Sequence, residues 1–234
     1  MDKINKKIKN VEIVVARFNE DLAWLNEYPF NQFEYTVYNK GDNENFNKFN
    51  VKTIINIKNV GMCDQTYLYH IIKNYQSLYN ITVFLPGSVH LKNKKGKAIE
   101  ILNNIILSDY SNAYFVGNYY NSIKNTFYNF KIDSYKGDCE ENNTKNNETI
   151  LSKCKLRPYG IWYQYFFGNT QAHWVTLSGI FSIDKRDIIQ HPIDRYIKLI
   201  KTVNYFSNPE AAHYIERSWG VIFFPMIYTY KINL

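Results

Sequence analysis

Cysteine is scarce in this chain of 234 residues: there are three, Cys63, Cys139 and Cys154. Their spacing fits no zinc site and their number is odd, so a reducing compartment is the simplest setting. A Cys139–Cys154 disulfide is compatible with the sequence, but nothing requires it. No apolar run approaches the ~20 residues that span a bilayer. The basic opening MDKINKKIKN leads into no apolar segment of signal-peptide length. These absences predict a soluble, cytoplasmic protein without a membrane span, and the Asn-x-Thr triplets at Asn80, Asn142 and Asn147 then carry little meaning. There is no GxSxG, no Walker loop and no GxGxxG. Asp-x-Asp and His-x-His pairs are missing too, so no metal site is predicted. No RNA- or DNA-binding signature is present, and nucleic acid is not an expected partner. Neither an internal repeat nor a linker divides the chain. The expectation is a mobile tail over residues 1–10 and one domain over 11–234.

What is abundant is aromatic and basic. Aromatics make up 17%, with 21 Tyr and 15 Phe, and there are 30 Asn. Lys, Asn, Ile, Tyr and Phe together indicate an AT-rich coding genome as much as a function. The net charge of +7 and pI of 9.0 favour anionic partners, although lysine-rich coding is the plainer explanation.

The stretch VEIVVARFNEDLAWL (11–25) sets the pattern. An apolar run, Ile13 to Ala16, reads as a buried strand. It meets Arg17-Phe18-Asn19-Glu20-Asp21, after which Leu22 and Leu25 form one face of an expected helix. A strand passing to a helix through a polar turn is where open α/β sheets bind ligands. Further strands are predicted at Tyr35–Tyr38, at 51–57 and at 80–90, the last ended by Pro86-Gly87. A helix over 59–79 places Leu68, Ile71, Ile72, Tyr75 and Leu78 on one face, with Asp64 as N-cap or first-turn acid. A second helix is expected over 95–107. The alternation predicts an α/β fold, a largely parallel sheet with helices packed on it. Residues 133–155 read as a polar loop, 159–168 as an aromatic segment of undecided type, and 175–183 as a strand. Helices follow over 192–206, opening on Pro192, and 208–224, capped by Asn208.

Five clusters carry candidate chemistry, each with a plainer alternative. Arg17, Asn19, Glu20 and Asp21 suit a nucleotide base or ribose, or else cap a helix with Asn19 at its start. In YNKGDN (38–43), Lys40 suits a phosphate and Asp42 a sugar hydroxyl, or the segment is a turn. In NVGMCDQTYLYH (59–70), the Gly61 turn at a helix start offers backbone N–H groups to phosphate, while His70 reads as a core or surface residue. In FLPGSVH (84–90), His90 suits either ligation of a divalent ion or acid–base work near neutral pH, although one His makes no metal site and use of a divalent metal stays open. In HYIERSWGVIF (213–223), His213 and Glu216 can share a face and Glu216 suits a general base; the alternative is a Glu216–Arg217 pair tying helices together. The basic segment KNKKGK (92–97) reads as a solvated loop.

These pieces resemble the family called domain of unknown function 3431, found in fungi, bacteria and large DNA viruses. The residues carrying the likeness are VVARFNEDLAWL (14–25), YNKG (38–41), NVGMCDQTYLYHIIKNYQSL (59–78), TVFLPG (82–87) and IERSWGVIF (215–223). A viral member would act in the host cytoplasm or the virion. The layout is also similar, more distantly, to nucleotide-sugar glycosyltransferases of the GT-A type. That resemblance implies a GT-A or Rossmann-like fold. It also implies transfer of a sugar from a UDP- or GDP-linked donor to a glycan or protein acceptor. By it, Glu216, Asp21 and His90 are candidate catalytic residues. Arg17, Asn19, Glu20, Lys40, Gly41, Asn59, Gly61, Asp64 and Gly87 are candidates for holding the donor. Two departures stand out. Leu85 to His90 occupy the place of the Asp-x-Asp metal motif, and Gly61-Met62-Cys63 replaces the family's Gly-Arg-Glu, with Asp64 one position on. They keep open a second reading, a transferase-like module without catalysis that binds a glycan or a partner protein.

Overall fold

The apolar run Ile13 to Ala16 is buried because its strand is covered on both faces. Successive strand side chains point to opposite sides. Val14 and Ala16 enter one core with Tyr38 and Phe84, while Ile13 and Val15 enter another with Val37, Val83 and Leu85. The computed structural model describes residues 10–132 and 151–234. The expected tail up to residue 9, Cys139 and the triplets at Asn142 and Asn147 lie outside them.

In chain order the strands are β1 (Val11–Arg17), β2 (Tyr35–Asn39), β3 (Val51–Asn56), β4 (Ile81–Pro86), β5 (Ala113–Tyr119), β6 (Trp174–Val175), β7 (Phe181–Asp184) and β8 (Thr229–Asn233). The helices are α1 (Met62–Lys73), α2 (Lys92–Leu107), α3 (Ile123–Thr126), α4 (Tyr159–Phe167), α5 (Lys185–Ile189), α6 (Ile193–Ile200) and α7 (Glu210–Ile222). Five strands form a sheet in the order β3-β2-β1-β4-β7, and β6-β5-β8 form a smaller one. β1 is parallel to β2 and β4, and β2 to β3, whereas β7 runs antiparallel to β4. The fold is thus a single α/β domain with a mixed sheet flanked by helices. Ser182 joins the two sheets by accepting from the Tyr114 N–H at 2.7 Å and donating to the Tyr114 carbonyl at 2.9 Å.

The topology brings two loop-bearing strand ends together. The chain lays β1, β2 and β3 side by side, then returns through α1 to place β4 on the free edge of β1. The carboxyl ends of β1 and β4 therefore lie together, Ala16 paired with Pro86. In open α/β sheets, ligands bind beside the loops that leave such a pair of strands.

Several local expectations are corrected. The segment after β1 is one 3-10 turn, Ala23–Asn26, entered through Leu22 at φ 60°, not an α-helix. Its first free N–H, that of Ala23, bonds the Asp21 carboxylate at 2.8 Å, so Asp21 and not Asn19 performs the capping. Trp24 and Leu25 are spent packing under the sheet. The aromatic segment is helical, α4, because Tyr159, Trp162 and Tyr163 share a buried face. The strand expected over 175–183 is broken into β6 and β7 by a loop with Ser178 at φ 70° and Gly179 at φ 63°. KNKKGK is not a loop but the first turns of α2. Asn208 does not cap α7; its side-chain carbonyl oxygen meets His213 Nε2 at 3.1 Å. Pro192 precedes α6 and is not its first residue.

Candidate functional site

The loop after β1 is held from inside. Arg17 is fully buried. Its Nε donates to the Glu20 carbonyl at 2.7 Å, its Nη1 donates to Asn39 Oδ1, and its guanidinium lies 3.9 Å from the centre of the Phe46 ring. Burial lowers its pKa, against the charges of Glu20 and Asp21. Arg17 therefore clamps the ends of β1 and β2 together. Asn19 Oδ1 accepts from the Asn43 N–H at 3.2 Å. Glu20 Oε2 accepts from the Phe18 N–H at 2.8 Å.

Two glycines let these loops close up. A Cβ on Gly87 would lie 2.6 Å from Glu20 Oε2, and one on Gly41 would lie 1.6 Å from the Phe18 carbonyl oxygen. The Gly87 carbonyl in turn accepts from Trp24 Nε1 at 2.9 Å. The Asn19–Asp21 and Gly87 segments thus meet, as the topology requires. His90 ends the short 3-10 turn Gly87–His90 and is exposed, as are Asp21 and Asn59.

A second group gathers where α1 begins. Lys40, just past β2, donates its ammonium to the Val60 carbonyl at 2.7 Å and to the Met62 carbonyl. Burial lowers its pKa to about 8, against the pull of Cys63 and Asp64. Asp64, in the first turn of α1, is 2% exposed and accepts from Trp219 Nε1 at 2.8 Å. Burial, and then the charge of Glu216, hold its carboxyl well above the usual range. Glu216 on α7 is half-buried, and its Oε1 accepts from the Ser178 N–H at 2.8 Å. Arg217 Nη1 lies 3.6 Å from Glu216 Oε2. His213 and Glu216 share a helix but bond to different partners, Asn208 and Ser178.

Gly61 takes the left-handed conformation, φ 60°, but its N–H is spent on the Phe206 carbonyl at 2.7 Å. A Cβ there would also lie 2.4 Å from the Val203 carbonyl oxygen. Packing against that segment closes the start of α1, so the Gly61 N–H does not serve a phosphate.

The structure adds residues that sequence reasoning passed over. Lys94 donates to Ser88 Oγ at 2.7 Å, and Lys97 donates to Thr176 Oγ1 and, at 3.0 Å, to the Leu177 carbonyl. Cys63 lies within the electrostatic reach of Asp64, Glu216, Lys94 and Lys40, and burial pushes its thiol well up. The Thr176–Ile180 loop supplies the rest: Gly179 approaches Cys63 so closely that a Cβ would lie 2.8 Å from the sulfur, and its carbonyl accepts from Tyr67 at 2.8 Å. The Ser178-Gly179 dipeptide is itself a turn signal that an apolar strand pattern overrode. Two cavities of about 360 and 220 Å³, lined largely by α4 and α6, share no residue with this cluster.

Fold and site together define an α/β protein with a polar, charged edge at its strand reversal. Over residues 13–230 the chain matches the family described as "Protein of unknown function (DUF3431)". It belongs to that family, as its motifs led one to expect. No curated protein and no solved structure matches it.

Proposed function

We propose that this chain is a glycosyltransferase of the GT-A, Rossmann-like kind. It would move a sugar from a UDP- or GDP-linked donor to a hydroxyl of a glycan or protein acceptor. One observation carries the reading: Glu216 is held by the Ser178 N–H beside buried Asp64 and the Lys40 ammonium, at the edge where β1 and β4 end. Glu216 takes the acceptor proton as general base. Asp64, kept toward its protonated form, leaves Glu216 as the group that accepts it. Lys40 steadies the charge that develops on the departing diphosphate. Arg17, a structural clamp, and His90, on the open surface, are weaker partners for that charge. Asp21, exposed and bonded through Oδ1 to its own turn, is a weaker candidate for the acid–base pair than Glu216.

Glu216→Gln keeps an acceptor for the Ser178 N–H and so keeps the fold. Transfer from a nucleotide sugar should fall by about 10²–10⁴-fold, the usual worth of a general base. The donor should still raise the melting temperature of the variant, as a native-state ligand does. Full activity in the variant would remove Glu216 from the mechanism. No shift with any UDP- or GDP-sugar, with or without manganese, would remove the whole reading. The second reading, a binding module without catalysis, is favoured by Leu85 to His90 standing where a metal motif belongs. It expects binding of a glycan or a partner protein, with no transfer in either the wild type or the variant.

A further inference from the structure

The segment KNKKGK departs most from its sequence reading. As the start of α2, it directs Lys94 and Lys97 to one side of the helix, three positions apart. Lys97 is only 8% exposed, and a buried ammonium is costly unless it is matched. Its bonds to Thr176 and Leu177 use two of its three N–H donors. Lys40 likewise spends two, on Val60 and Met62, and Lys94 spends one, on Ser88. Among the described residues each ammonium therefore keeps a donor to spare.

The charges do not balance. The cluster holds the cations Lys40, Lys94, Lys97 and Arg217 against the carboxylates Asp64, Glu216 and Glu100. Burial holds Asp64 toward its neutral acid and keeps the Cys63 thiol and the Tyr67 phenol protonated. What is left is an excess of positive charge, with open donors on α2 and on the residue that follows β2.

We propose that Lys94 and Lys97, together with Lys40, form a binding site for a diphosphate group. Ser88 and the Thr176–Leu177 loop hold the two α2 lysines in place. The inference deepens the transferase reading, in which this group is the diphosphate of the donor, but a diphosphate site is testable without any sugar transfer. Burial lowers the Lys97 ammonium to about 8, opposed by Glu216 and Glu100, and Lys40 behaves alike. Both lysines are therefore charged at neutral pH and lose that charge as the pH rises past about 8.

The test is titration calorimetry of the whole protein with inorganic pyrophosphate, and separately with UDP, in the presence of a chelator. Lys94→Ala and Lys97→Met should each weaken pyrophosphate binding about tenfold or more, the worth of a lost charge-assisted hydrogen bond. Lys97→Arg, which keeps the charge, should retain most of it. Should Lys97→Met fail to fold, the more exposed Lys94 still carries the test. Wild-type affinity should fall between pH 7 and 9, and the fall should flatten in Lys97→Met. Absence of pyrophosphate binding by the wild type, or equal affinity in Lys94→Ala and the wild type, overturns the site. Lysine-dependent binding of pyrophosphate without binding of UDP or nucleotide sugars upholds the site and defeats the transferase reading. Nucleotide-sugar binding indifferent to both lysines does the reverse.

Discussion

The indole Nε1 of Trp219 donates to Asp64 Oδ1 at 2.8 Å, tying α7 to the first turn of α1 across 155 positions of chain. Trp219 is fully buried and stacks on Phe223 with ring centres 5.5 Å apart. The pair brings Glu216, one turn earlier on α7, to the charged edge.

Trp219→Phe removes the donor and leaves a buried carboxyl oxygen unmatched. The expected cost is about 1–3 kcal/mol from the orphaned acceptor, with more from the smaller ring, read as a lower midpoint in urea. Asp64→Ala, which removes the acceptor, should in the Trp219→Phe background cost less than the sum of the two single changes, because the residues share one interaction. Strict additivity would show that the bond contributes nothing.

Lys97 makes stability depend on pH in a definite direction. Its folded pKa of about 8 lies below its ordinary value, about 10.4 in an unfolded chain. Between those limits the unfolded chain binds more protons, so stability from this group rises with pH. Below about 8 the full cost of burying the ammonium is present. Unfolding free energies measured from pH 7 to 9.5 should therefore climb more steeply in the wild type than in Lys97→Met. Parallel profiles would mean that burial does not depress the lysine.

Gly41→Ala and Gly87→Ala should differ in severity. The added methyl at Gly41 would strike the Phe18 carbonyl oxygen, 1.6 Å away, whereas at Gly87 it meets first the end of the Glu20 side chain at 2.6 Å. Backbone must move in the first case and a carboxylate in the second. Gly41→Ala should lose about 1–3 kcal/mol as an overpacked site does, and Gly87→Ala less, with Glu20 displaced from the Phe18 N–H. Equal losses in thermal unfolding would contradict this account.

Glu210, fully buried, fastens the chain on either side of residues 133–150 to α7. Its carboxylate accepts from the Ile132 N–H at 3.0 Å, the Cys154 N–H at 2.8 Å and the Tyr214 hydroxyl at 2.8 Å, and pairs with Arg157. Burial pushes its pKa up, but these donors bring it below the usual value. Its stabilisation is then full above the ordinary carboxylate range and fades as the pH falls through the lowered value. Glu210→Ala leaves the Ile132 and Cys154 N–H groups without their acceptor and should cost about 1–3 kcal/mol, the worth of an unmatched buried donor, measured by denaturant unfolding at pH 7.

The strands β1, β2 and β4 and the helices α1 and α7 were all legible in the order of residues. Ile13 to Ala16, or Leu68 with Ile71, display the period of their element within a few positions. Hence the α/β class and the carboxyl-edge loops followed, as did the family motifs. Less visible was the Thr176–Ile180 loop, where two left-handed residues interrupt what reads as one apolar strand. The Asp21 cap escaped notice because an exposed acid beside Asn19 has the same local signature.

Sequence alone determined the α/β class, the order of β1 to β4 with α1 between β3 and β4, and the family, because hydrophobic period and motif spacing are properties of neighbouring residues; β5, β8 and the smaller sheet they form with β6 came only with the structure. Only the tertiary structure decided that Lys94 and Lys97 leave solvent for Ser88 and Thr176, that the Gly61 N–H is spent on Phe206, and that Trp219 draws Asp64 and Glu216 together. Those contacts join segments far apart in the chain. Their existence depends on how two cores pack on opposite faces of one sheet, which no local pattern encodes.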